Sequence, residues 1–208
     1  LSLSNYSELR QSIQDWTLRE DLSQRTPDFI LLVEAELNLR LRVRRMLARD
    51  TFTADAQYEG LPSDFLEMAR LTITSTTPDK ELLFASPQQM SDWRETYQSA
   101  GEPIYYSIVG SEVEFLPVPS DSYTVERLYF AEIPALSSSN TTNWLLTSHP
   151  EVYLHGCLAK AFAYAMDEGR AALHEQQYQS AVDRLVAADK KGRVGQRPVI
   201  RTKAIGGY

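Results

Sequence analysis

Helical periodicity at both ends of the chain, with a middle rich in β-branched and aromatic residues, predicts an α+β fold that is mostly α. The expected architecture is a helical bundle made of N- and C-terminal helices. It carries an inserted β-rich region and ends in an extended C-terminal tail. Residues 1–191 read as one domain with the insertion at about 51–133, and residues 192–208 as a basic tail that is too poor in apolar surface to fold alone.

Each element has a local reason. Asn5 followed by Glu8 has capping-box spacing, and Tyr6, Leu9, Ile13 and Trp16 recur on one face, which predicts a helix over 6–18. Thr26 as cap, Pro27 in the first turn and the face Phe29, Ile30, Val33, Leu37 predict a second helix from 27. "LNLRLRVRR" (37–45) alternates with period two, but it continues the helix pattern with good helix formers and no Gly or Pro, so the helix is expected to reach about Arg45. Residues 51–59 and 67–76 read as strands separated by "GLPSDF", followed by "ELLFA" (81–85). Ser86-Pro87 predicts a capped helix over 87–98. Two short strands turn at Gly110-Ser111, with Pro117 and Pro119 placing the second near an edge or ending it, and a longer strand covers 123–133. Helical periodicity returns after the polar loop 137–142. It predicts helices over 150–167 and 170–190, antiparallel because the break "DEG" is short.

A hydrophobic fraction of 43% with 24% charged residues is that of an ordinary globular protein, and no apolar run approaches the roughly 20 residues of a membrane span. No secretion signal is readable, and one cysteine cannot form an internal disulfide, so the sequons at Asn5 and Asn140 read as turn or cap residues. The net charge of −7 argues against a general nucleic-acid binder, but it is unevenly spread. Six basic residues and no acidic ones lie in 190–208, leaving 15 basic against 28 acidic residues, a balance of −13, in the body.

"SHPEVYLHGC" (148–157) gathers His149, Glu151, His155 and the only cysteine, Cys157. On a helix, His149 and His155 are about 240° out of phase and His155 and Cys157 about 200° apart, so they cannot converge on one ion. Only Glu151 and His155 share a face, and two ligands make a poor zinc site; the expectation is a surface pair beside a small, partly buried cysteine. Nucleophile-elbow, phosphate-loop and zinc-protease motifs do not occur, so neither catalytic nor metal residues nor a cofactor are assigned. Arg40, Arg42, Arg44, Arg45 and Arg49 are the second candidate: either guanidinium contacts to an acidic partner surface, or a solvated helix face paired with Glu34 and Glu36.

The order of landmarks is more specific than any one motif. "LPSDF", "FLPVPSDSYTVERLYF" and "TNWLLTSHPEVYLHG", within a pattern spanning residues 3–190, resemble tailed-bacteriophage head–tail adaptor (connector) proteins. The resemblance implies a structural virion protein of the neck, assembled in the host cytoplasm as a ring, usually twelve-fold, beneath the portal protein. Tail, nozzle or stopper proteins would dock below it, and genomic DNA would pass through without specific binding during ejection. In that picture Arg40, Arg42, Arg44 and Arg45 are candidate subunit-interface residues, and Arg193, Val194, Arg197, Val199, Ile200, Arg201 and Tyr208 form a tail that docks on the portal. The other readings are a stopper or tail-completion protein, a nucleic-acid-binding accessory protein, or a small enzyme.

Overall fold

A computed structural model describes residues 3–194, with side chains through Gly192. Among the described residues six helices and two sheets fall into two compact units, one made of the residues up to 44 and from 133 onward and the other of residues 45–132, so the fold is α+β and mostly α.

The first unit is helical: α1 (Tyr6–Thr17), α2 (Thr26–Arg40), α4 (Trp144–Ser148), α5 (Pro150–Tyr164) and α6 (Glu168–Val194), with α3 (Pro87–Trp93) belonging to the other unit. Asn5 caps α1 by accepting the Glu8 N–H at 3.0 Å, which is worth about 1 kcal/mol. The Glu8 carboxylate takes the N–H and hydroxyl of Ser4 at 2.9 and 2.8 Å, one residue before the cap. Thr26 does not cap α2. It lies inside the first turn, where its hydroxyl donates to the Leu22 carbonyl at 3.3 Å.

The central element is α5. Val152, Tyr153, Leu154, Cys157, Leu158, Ala161 and Phe162 bury it on nearly all sides, as a helix apolar all round requires. Gly156 sets its approach to its neighbours. A Cβ there would lie 3.0 Å from Val33 Cγ2 and 3.1 Å from the Tyr178 ring. Contacts of Phe162 with Arg170 and of Gly156 with Tyr178 run in opposite directions along α5 and α6, the expected antiparallel pair. The break falls at Ala165–Asp167, with Asp167 Oδ1 accepting the Arg170 N–H at 3.1 Å to cap α6. The helix then continues to Val194, three residues into the segment expected to be extended; residues 195–208 of that tail lie outside the described residues.

Two further boundaries differ from expectation. Helix α2 ends at Arg40, and Leu41–Val43 is extended before a 3-10 turn at Arg44–Met46. Leu41 and Val43 are buried while Arg42 is half-buried and Arg44 exposed, so the period-two pattern at this point governs the backbone over helix propensity. The short helix α4, absent from the sequence-based expectation, is capped by Asn143, which accepts the Leu146 N–H at 2.8 Å.

A buried polar node holds the loop before α4. Glu34 Oε1 accepts the Leu136 N–H at 2.9 Å and the Tyr153 hydroxyl at 3.0 Å, and Asn143 Nδ2 donates to Tyr153 Oη and to the Pro134 carbonyl. Burial pushes the Glu34 carboxyl above its ordinary value, against those two hydrogen bonds.

The second unit holds two four-stranded sheets. The first has the order β1 (Leu47–Ala54), β8 (Tyr123–Ala131), β3 (Phe65–Ile73), β4 (Lys80–Glu81), and the second β2 (Tyr58–Gly60), β7 (Glu112–Leu116), β6 (Tyr105–Val109), β5 (Leu83–Phe84). The expected strand 51–59 is therefore two strands in different sheets, separated at Asp55–Gln57. Val125, Arg127, Tyr129 and Ala131 of β8 face inward at period two, and Ala54, Leu71, Ile73, Val113 and Phe115 close one core from both sheets. Gly110 turns β6 into β7 at φ +63°, a conformation glycine takes without a Cβ clash, and β7 ends before Pro117. Helix α3 (Pro87–Trp93) starts at the expected Ser86 capping box and is shorter than the 87–98 anticipated.

Candidate functional site

The reactive decapeptide does not form a site. His149 joins α4 to α5, with Nδ1 3.8 Å from Glu151 Oε1. Cys157 is 0% exposed, and burial raises its thiol far above the ordinary range, so it is a core residue, more buried than expected. His155 meets a residue that sequence spacing did not bring to it. Its Nδ1 lies 3.2 Å from His174 Nδ1 on α6, with the rings stacked at 21°, Trp16 edge-on to both, and Phe162 stacked on His174. The expected partner Glu151 acts on His155 only through its charge, opposing burial, His174 and Arg184, which together hold the ring's proton affinity down. Burial also lowers His174, with Gln177 opposing and Arg170 assisting. Among the described residues no group of three His, Cys, Asp or Glu is placed to hold a metal ion.

The arginine series divides where α2 ends. Arg40, the last helical residue, donates to Glu36 Oε1 at 3.0 Å and to Gln179 Oε1 of α6 at 2.6 Å. Lys160 shares Glu36 at 2.9 Å; burial alone would raise that carboxyl, but Lys160 and Arg40 together hold it below its ordinary value. Arg42 donates to the carbonyls of Asn38 and Leu41, closing the end of α2. Arg44 binds Asp189 Oδ1 through its N–H and its Nε at 3.1 and 3.0 Å, tying the exit of α2 to the last turns of α6. Arg45 opens the second unit, where Arg49 and Arg70 flank Glu126 at 3.3 Å each. Glu34, expected as a surface partner of this series, is instead the buried node described above. Arg193 and Val194 close α6, and Arg197, Val199, Ile200, Arg201 and Tyr208 lie outside the described residues.

The surface feature that sequence reading passed over is apolar. On α2 the exposed positions Leu31, Leu32, Ala35 and Leu39 form a stripe opposite the buried Phe29, Ile30, Val33 and Leu37, so the helix is apolar on both faces. Leu31, Leu32 and Leu39 are 63%, 54% and 82% exposed, a continuous face of the kind that marks a protein contact. The signal was present in "FILLVEAELNL", where apolar residues exceed what one core face can use. No helix among the described residues is long and apolar enough to cross a membrane.

Comparison with curated proteins finds no match. A family model described as "SU10 adaptor protein" matches residues 4–202, taking in both units. This match, over nearly the whole chain, leads to one conclusion: the chain belongs to the SU10 adaptor protein family, a structural family of phage adaptors.

Proposed function

We propose that the protein is a head–tail adaptor that forms a ring beneath the portal, bridges it to tail, nozzle or stopper proteins, and lets the genome pass. The observation that carries this reading is the family match over residues 4–202. The ring is twelve-fold by the resemblance, and the protein resides in the virion neck after assembly in the host cytoplasm. Support comes from the apolar outer stripe of α2, which has no use in an isolated chain, and from the uneven charge. An acidic body would not trap moving phosphates, so DNA passes without specific binding, whereas a basic segment at 190–208 suits an acidic surface on the portal. In this reading Arg193, Arg197 and Arg201 meet acidic groups on the portal, and Val194, Val199, Ile200 and Tyr208 anchor the segment.

The test is co-sedimentation with portal rings from the same phage, comparing the full chain with one ending at Lys191. Saturable binding that weakens without the tail is expected. Equal binding by both forms removes the docking role of residues 192–208. No binding by either removes the portal-adaptor reading in favour of a stopper or tail-completion role.

A further inference from the structure

The last turns of α6 are fixed beside the uncovered stripe of α2. Near the end of α6 the Arg44 guanidinium lies against Gly192 and donates to its carbonyl at 3.4 Å, and a Cβ there would strike it. Glycine weakens a helix interior, so this close approach is its use at 192. With the two bonds of Arg44 to Asp189, it holds the end of α6 at the exit of α2. Leu39, the nearest member of the stripe, stands five residues before Arg44. From there the stripe runs back through Ala35 to Leu32 and Leu31, about 12 Å along the helix axis.

Uncovered, such a stripe is a liability to a free chain. Its size narrows what can cover it. A stable contact between folded partners takes about 20–30 residues from each side, and Leu31, Leu32, Ala35 and Leu39 offer far fewer. A short segment tethered close by needs less, because its local concentration is millimolar and no second molecule is immobilised. The sequence beyond α6 holds such a segment. In "GQRPVIRTKAI" (195–205) the polar run 201–203 separates Val199 and Ile200 from Ala204 and Ile205, and Pro198 favours an extended start. Extended, the two apolar pairs lie about 16 Å apart, long enough to span the stripe with small Ala35 beneath the polar run. Seven residues lead from Gly192 to Val199, up to about 23 Å of chain, whereas the five from Arg44 to Leu39 span at most about 17 Å, so the first pair reaches Leu39.

We propose that in the free chain residues 197–205 cover the α2 stripe of their own molecule, with Val199 and Ile200 on Leu39 and with Ala204 and Ile205 on Leu31 and Leu32. Charge does not choose this seat; reach and size do. The charged groups at the two ends of the stripe are already held, Arg40 by Glu36 and Gln179 and Asp28 by Arg25. A small apolar contact alone makes the cover weak enough to exchange. The same segment meets acidic groups on the portal in the reading above, on which this inference rests, and its departure bares the stripe to the next copy in the ring. Chains in solution therefore stay single, and the apolar face opens only where neighbours are already lined up.

Cysteine cross-linking tests this, since the native Cys157 is fully buried. Dilute full-length chains carrying Val199→Cys with either Leu39→Cys or Ala187→Cys are treated with a short bismaleimide, and the linked peptides are measured by mass. Ala187 is exposed and lies on α6 itself, nearer the root of the segment than Leu39, so a segment without a seat links to it at least as often. The expected result is an internal link at least tenfold more abundant for the Leu39 pair. Adding Leu32→Glu, an exposed change that leaves the core intact, should bring that pair down to the Ala187 level, and so should saturating portal rings. Equal linking of the two pairs, or covalent dimers in place of the internal link, overturns the cover and leaves the adaptor reading standing. An internal link that persists while the chain saturates portal rings overturns the exchange. An internal link in a chain that binds no portal supports the cover and removes the adaptor reading.

Discussion

The two units are locked in different ways. In the β unit the polar lock joins the two sheets: buried Arg127 on β8 grips Asp50 of β1 through two 2.7 Å bonds, donates to the Gly60 carbonyl of β2 at 3.0 Å, and lies over the Phe52 ring. In the helical unit the lock is a carboxylate, Glu34, that fixes an irregular loop, while helix packing depends on a missing side chain at Gly156. Exposed apolar residues also differ. Those of the β unit sit on its edge strands and strand ends (Tyr58, Leu83, Phe84, Ile104, Val109), whereas those of the helical unit form the stripe of α2 (Leu31, Leu32, Leu39), stand singly on other helices (Trp16, Tyr164, Leu173) or occupy left-handed turns at helix ends (Leu18 at φ +54°, Met166 at φ +58°). Edges expose apolar groups for want of a neighbour; a stripe along a whole helix is a surface built for one.

Substitutions can break this contrast, and the largest effect is expected at Gly156. Gly156→Val drives two methyl groups into Val33 and Tyr178, and should cost about 3 kcal/mol or more, lowering the melting temperature of the helical unit. Next is Arg127→Ala, expected to cost about 2–3 kcal/mol rather than the full value for a buried pair, since the Asp50 side chain is 40% exposed; chemical denaturation would measure it. Glu34→Ala should cost about 2 kcal/mol by leaving the Leu136 N–H and the Tyr153 hydroxyl without an acceptor. Glu34→Gln keeps an acceptor and removes a charge that burial disfavours. It should be neutral or stabilising at pH 7, with its advantage shrinking as pH falls and the native carboxyl takes up its proton.

The smallest effect is a pH dependence confined to the helical unit. His155 and His174 bind protons less readily when folded than when unfolded, so the unfolded chain takes up more protons just below the ordinary histidine value of about 6.5. Stability is full above that value and falls with pH through it, until the depressed folded values are passed. Melting temperatures between pH 7.5 and 5.5 should therefore drop more for the parent than for His174→Phe, which keeps the stack on Phe162 without a titrating ring.

Much of this was legible in the sequence, because apolar spacing and cap chemistry act locally: α1, α3 and the α5–α6 pair, the Gly110 hairpin and the long strand β8 all follow from nearest-neighbour rules. The end of α2 was not, because "LRLRVRR" satisfies helix propensity and strand alternation together, and burial of Leu41 and Val43 decides between them. The division of residues 51–59 between two sheets and the His155–His174 pair depend on partners distant in the chain. The left-handed caps were hidden for a different reason: leucine and methionine are residues that local rules would never put there. The apolar excess on α2 was visible, but only burial separates a core face from an outer one.

The most direct test of the central claim is native mass measurement of portal rings incubated with excess full-length chain. The account predicts one saturated complex with a fixed number of chains matching the symmetry of the portal ring, and no partly filled species at saturation. A portal ring that keeps its own mass, or that gains chains in a broad distribution without a limit, would contradict it.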